Sequence, residues 1–139
     1  MSPAADARRY LLAQCLHRLL PGARTAPAVS CWTTAHADVH GANLTEPLRL
    51  LGWEGWGMAP DGFDAAAPYA YSLLQPDTAA RVRATFPVLG IPVGLAAEAT
   101  VCAQLLHTAA RGDNLVLEGP LRNWLRNSAA AEPARSPRT

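Results

Sequence analysis

Apolar residues along the chain recur mainly at helical spacing, punctuated by proline, glycine and short polar runs. Tyr10, Leu11, Leu12, Cys15, Leu16, Leu19 and Leu20 form one stripe, preceded by Ser2-Pro3 and ended by Pro21-Gly22. A capping hydroxyl before proline starts a helix and Pro-Gly stops one, so this segment is predicted helical with one buried face. Cys31–Ala35 and Leu48–Leu51 flank a polar stretch and predict two strands of a small hairpin, joined across a wide loop over His40–Pro47. Trp53, Gly55, Trp56 and Gly57 then break any period. Helices are predicted over 64–74 and 78–86, the first tolerating Pro68 only in its first turn, the second burying Val82 and Phe86. The longest is predicted over 93–111, with Leu95, Ala99, Cys102, Leu105, Leu106 and Ala109 in a broad stripe ended by Gly112-Asp113-Asn114. A last helix follows over 115–125. The fold class is therefore mainly α with a small β hairpin (α+β). Residues 1–127 read as one domain, and 128–139, rich in Ala, Pro, Arg and Ser, as a disordered tail.

Composition narrows the function classes. The 139 residues, half of them hydrophobic, can bury one usable core. A net charge of +1 supplies no basic field for nucleic acid. All twelve cations are arginine, so the chain contains neither a lysine nucleophile nor a lysine phosphate clamp. Cys15, Cys31 and Cys102 are odd in number and widely spaced, which argues against a disulfide framework and for a reducing cytoplasm; Cys15 and Cys102 fall at apolar helical positions as buried thiols. No secretory core and no apolar run approaching about 18 residues is present, so a cytoplasmic protein without a membrane partner is expected.

The candidate chemistry is concentrated in His36-Ala37-Asp38-Val39-His40-Gly41-Ala42-Asn43, with Glu54 a little downstream. Alternation of His36, Asp38 and His40 would place all three on one face of an extended segment, a donor set for zinc or iron that Cys31 or Glu54 would complete, as in a metal-dependent hydrolase. No H-E-x-x-H accompanies them, and ordinary polar loop residues are the plain alternative. Asp38 and Asn43 support a third reading. An Asp five residues before an Asn can accept a proton from an attacking hydroxyl while the amide oxygen holds magnesium against a nucleotide phosphate, the frame of the kinase H-R-D-x-x-x-x-N loop.

With the following residues included, the segment resembles the catalytic half of the aminoglycoside phosphotransferase/choline kinase-like family. That family's H-G-D-x-H-x-x-N is matched by His36, Asp38, His40 and Asn43, and its [LI]-[LI]-D-W-E by Leu50-Leu51-Gly52-Trp53-Glu54. Gly62-Phe63-Asp64-Ala65-Ala66 is similar to its G-x-D-x-A helix start. The resemblance spans about Tyr10 to Leu125 and implies the helical carboxy-terminal lobe of a protein-kinase-like fold. It implies Asp38 as catalytic base, Asn43 as a ligand of magnesium and nucleotide, His36 beneath the loop and His40 beside the substrate. Asp64 would accept backbone hydrogen bonds from the loop, and Glu54 would orient nearby groups.

Two departures qualify that implication. Gly52 stands where the family has its principal metal-binding Asp, so a side-chain ligand is lost. Ala37 replaces a glycine, which is acceptable unless the backbone there has positive φ. The family's ATP-covering amino-terminal lobe, with its lysine, has no counterpart in these residues. The expectation is a truncated, inactive or weakly active relative of ATP-dependent small-molecule phosphotransferases, with Mg²⁺ and ATP binding weak or absent. The lobe supplied in trans, or a homodimer, would be its partner. A non-catalytic interaction or regulatory module on the same fold is the alternative. Elsewhere, Trp53 and Trp56 are expected to cover a core edge, His17 and His107 to be structural or solvent-facing, and Arg122 with Arg126 to form a solvated face.

Overall fold

The computed structural model describes Val29 and residues 31–130. The first predicted helix, started by Ser2-Pro3 and ended by Pro21-Gly22, with Cys15 and His17, lies outside the described residues, as does most of the predicted tail. The elements run β1 (Trp32–Ala35), β2 (Leu44–Thr45), β3 (Arg49–Leu50), β4 (Gly57–Pro60), α1 (Phe63–Tyr71), α2 (Pro76–Thr85), α3 (Pro92–Ala109) and α4 (Glu118–Ala130), with 3₁₀ turns at Gly41–Asn43, Trp53–Gly55 and Leu115–Leu117. The chain is mainly α with small antiparallel β elements, as the hydrophobic pattern predicts.

The β pairing differs from the expected hairpin. β1 pairs antiparallel with β4, Trp32 opposite Pro60 and Ala35 opposite Gly57, while β2 and β3 form their own two-residue ladder. Segment 57–60 carries a glycine and a proline and no alternating apolar pattern, so propensity gave no sign of a strand. Burial decides it: Ala59 is fully buried and Ala35 nearly so, and their backbone groups need partners once they leave water. The result places the loop 36–43 and the turn 51–56 side by side, at the end of the β1–β4 pair.

The core lies between α1 and α3, whose contact is the most extensive in the fold. Ala65, Ala66 and Ala70 of α1 share one buried cluster with Ala97, Ala99, Val101 and Cys102 of α3, and Leu117, Leu121 and Leu125 belong to it too. Alanine here lets two backbones approach closely, while the leucines supply the buried area. Pro68 sits sixth in α1, beyond the first turn in which it was expected. The ring removes one helical hydrogen bond, and burial of Phe63, Ala65, Ala66, Ala67 and Ala70 outweighs that loss. α2 buries Ala79, with Val82 half-buried; Phe86, expected inside, is exposed at the end of the helix. α2 is held instead by Arg83, whose guanidinium lies over the Tyr69 ring and donates to the buried Glu98 carboxylate at 2.9 Å. The last helix begins later than predicted and runs through the expected 127/128 boundary to Ala130. No helix among the described residues is long and apolar enough to cross a membrane.

Candidate functional site

The site is built on the segment that leaves β1. Asp64, in the first turn of α1, directs its carboxylate at the start of that segment: Oδ2 accepts the His36 N–H at 2.8 Å and Oδ1 the Ala37 N–H at 2.9 Å. Two charge-assisted bonds from one carboxylate fix two consecutive peptide units. Ala37 is thereby held at φ +72°, a left-handed conformation that disfavours a Cβ. An alanine at this position therefore stores strain.

That backbone turn separates the residues which alternation would have put on one face. His36 goes inward, 2% exposed, with Nε2 bound to the Leu51 carbonyl at 2.8 Å and Nδ1 accepting the Asp38 N–H at 3.1 Å. A carbonyl partner at Nε2 and an N–H partner at Nδ1 require the neutral Nε2–H tautomer. Both ring nitrogens are occupied, so His36 is not available as a metal ligand beside Asp38 and His40. Among the described residues, no group of three or more His, Cys, Asp or Glu side chains is arranged to hold a metal ion. Cys31 is exposed just before β1 rather than in it, and it stands outside the cluster.

Asp38, His40 and Asn43 do come together. The 3₁₀ turn over 41–43, closed by the Asn43 N–H to the His40 carbonyl at 3.0 Å, brings the amide back over Asp38. Asn43 Nδ2 donates to the Asp38 carbonyl and to its Oδ2, both at 2.9 Å. His40 Nε2 lies 3.1 Å from Asp38 Oδ1. Each oxygen of the Asp38 carboxylate thus has one partner. Opposite Asn43 stands Gly52, itself left-handed at φ +72° and ψ 51°. A Cβ there would come within 2.8 Å of Asn43 Nδ2 and 3.2 Å of Oδ1, so the glycine leaves the room that the Asn43 amide fills.

These residues do not fit a magnesium ion. Mg²⁺ is held by carboxylates together with phosphates and waters. Here one carboxylate is already engaged on both oxygens, position 52 offers none, and Asn43 is bonded to Asp38 through its nitrogen. Glu54 is exposed on the 53–55 turn and stands outside this hydrogen-bonded group.

Three features were not readable from the motif. Tyr71, at the end of α1, lays its ring against His40 with centroids 5.5 Å apart, and burial followed by the Asp38 charge raises its pKa. Gln104 and Val101 of α3 join Asp38, His40, Phe63 and Tyr71 around a small cavity of about 50 Å³. Trp53 packs edge-on against His36, centroids 4.6 Å apart, and donates from Nε1 to the Leu50 carbonyl at 2.7 Å. Its neighbour Trp56 lies 5.4 Å away and is more than half exposed. Residue spacing offered no signal for Tyr71 or Gln104, since helix packing alone brings them to the loop. Compared with known proteins, the chain matches no family model, no curated protein and no solved structure.

Proposed function

We propose that this chain carries the catalytic-loop half of a phosphotransferase-like site in a metal-poor, degenerate form, inactive or weakly active on small-molecule alcohols. The observation that carries the reading is the clamp of Asp64 on the His36 and Ala37 amides. It holds Asp38 and Asn43 side by side, with the Asn43 amide against position 52, and that pairing of a carboxylate with an amide supports a reading as a hydroxyl-activating base beside a metal-binding amide. Within the reading, Asp38 is the group that would accept a hydroxyl proton, from an acceptor held in the cavity against Tyr71 and Gln104. His40 orients the carboxylate. His36 and Asp64 fix the loop and touch no substrate.

Phosphate transfer from labelled ATP to a panel of small alcohols and aminoglycosides tests it. The unmodified chain should give no transfer or a trace. Gly52→Asp, mixed with an ATP-binding lobe of the resembled family, should raise transfer, and the further change Asp38→Asn should abolish that gain. A gain that survives Asp38→Asn, or no gain with any acceptor, contradicts the reading. The non-catalytic interaction module stays as the second reading because of one observation: Leu44, Leu48 and Leu51 at the hairpin, Trp53 and Trp56 at the turn after it, and Met58 in β4 are all exposed.

A further inference from the structure

We infer that the cavity beside Asp38 is a site for a short, neutral 1,2-diol, with one hydroxyl on the Asp38 carboxylate and the other between Tyr71 and Gln104. Which hydroxyl would react rests on the phosphotransferase-like reading; the binding of the diol does not.

Unused polar capacity sets the chemistry of the ligand. Each oxygen of Asp38 has one partner, the Asn43 amide on Oδ2 and His40 Nε2 beside Oδ1. A carboxylate has about four acceptor positions, so Asp38 can take a further donor. Tyr71 from the end of α1 and Gln104 from α3 line the same cavity. Neither the tyrosine hydroxyl nor the glutamine amide has a hydrogen bond among the described residues, and neither is a buried orphan, so both stay open to solvent. Burial, then the Asp38 charge, raises the Tyr71 pKa, so the phenol keeps its proton and can donate. Phenol and amide each offer donor and acceptor. A hydroxyl answers both, whereas an ammonium only donates and would leave the amide N–H groups unmet.

Charge and size narrow the class. Among the described residues no arginine lines the cavity, and the chain has no lysine. A carboxylate or phosphate would therefore meet the Asp38 charge with no fixed cation to offset it. The volume is about 50 Å³. Roughly 10–15 Å³ on that scale holds one water, so the cavity admits a few heavy atoms and not a whole sugar ring. Val39, Phe63, Val101 and Leu105 supply the apolar wall against which a short carbon chain packs.

Titration of the full, isotopically labelled chain without ATP, read on the Gln104 side-chain amide and the Tyr71 ring by NMR, tests the site. Propane-1,2-diol should bind with a dissociation constant of about 1–10 mM. Propan-1-ol, with the same carbon chain and one hydroxyl fewer, should bind at least about five-fold more weakly. Lactate and 1-aminopropan-2-ol, in which a carboxylate or an ammonium replaces one hydroxyl, should be weaker by a similar factor. Gln104→Leu and Tyr71→Phe, each read on the residue that remains, should narrow the preference for diol over propan-1-ol to less than about two-fold. The ligand series on the unmodified chain decides the matter even where a variant fails to fold. Propan-1-ol binding as tightly as the diol overturns the proposal, as does tighter binding of lactate or the amino alcohol, or a diol preference that survives both substitutions. Phosphate transfer separates the two claims. A diol that binds while no acceptor gains phosphate from the complemented Gly52→Asp chain removes the phosphotransferase-like reading and leaves the site; transfer to another alcohol without diol binding removes the site alone.

Discussion

Gly52 and Asn43 share one volume: a Cβ on the left-handed glycine would meet the asparagine amide at 2.8 Å, where the backbone itself leaves room. The side chain that would bind metal therefore occupies the space from which a second ligand would arise. Gly52→Ala should destabilise the fold by about 2 kcal/mol, through left-handed strain plus displacement of Asn43. Gly52→Asp should cost less, because aspartate tolerates this conformation better than alanine. Thermal melts of both variants, with and without magnesium, check this. Magnesium should raise the midpoint of Gly52→Asp alone.

Ala37 presents the opposite case, a side chain where glycine is preferred. Left-handed backbone costs alanine about 1–2 kcal/mol, whereas glycine gives back about 0.5–1 through the unfolded chain. Ala37→Gly should therefore stabilise by about 0.5–1 kcal/mol, an increase in melting temperature of about 3 °C. A lower midpoint would show that the alanine methyl makes contacts that outweigh its strain.

Asp64 should be among the least replaceable polar residues of the site. Asp64→Ala leaves the His36 and Ala37 amides without acceptors and should cost about 3 kcal/mol in urea unfolding. Asp64→Asn keeps one acceptor and should lose about half as much. Asp61→Ala, whose carboxylate is outside this clamp, is the comparison and should stay within about 0.5 kcal/mol.

Much of this architecture was legible in the pattern of the chain, and the exceptions have specific causes. The helices show because Leu105, Leu106 and their neighbours repeat at helical spacing over whole turns. The partner of β1 does not show, because Gly57-Met58-Ala59-Pro60 is a strand only by virtue of pairing with buried Ala35. Spacing alone suggested a shared face for His36, Asp38 and His40; the left-handed turn at Ala37, set by Asp64 from 27 residues downstream, undoes it. Nothing local marks Tyr71 as a neighbour of His40, since the packing of α1 on the loop creates that contact.

Tyr71 carries a pH signature of that contact. Burial, then the Asp38 charge, holds its hydroxyl proton above tyrosine's ordinary value of about 10. A raised pKa favours the neutral folded form. Its contribution to stability is present below about pH 10 and is lost as pH rises through the folded value. Asp38→Asn removes the smaller cause, so ultraviolet titration should find Tyr71 ionising at lower pH in that variant, yet still above a free tyrosine. Tyr71→Phe identifies the signal.

The two described cysteines should separate cleanly by reactivity. Burial pushes the Cys102 thiol up to about 12, and its sulfur lies 3.6 Å from the Leu121 carbonyl, whereas Cys31 is exposed. At pH 8 a disulfide reagent should modify Cys31 within minutes and reach Cys102 only on unfolding. Peptide mapping of the labelled protein reads both. Prompt labelling of Cys102 would show that the α3–α4 contact opens readily.

Calorimetric titration of the full, metal-free chain with magnesium-ATP tests the central claim of a phosphotransferase-like loop stripped of its metal site. With no carboxylate at position 52 and Asn43 turned onto Asp38, the dissociation constant should exceed about 1 mM, at most about 4 kcal/mol of binding. A micromolar constant would contradict the account, because it would require a metal and nucleotide site that Gly52 and the Asp38–Asn43 bond leave no donors to form.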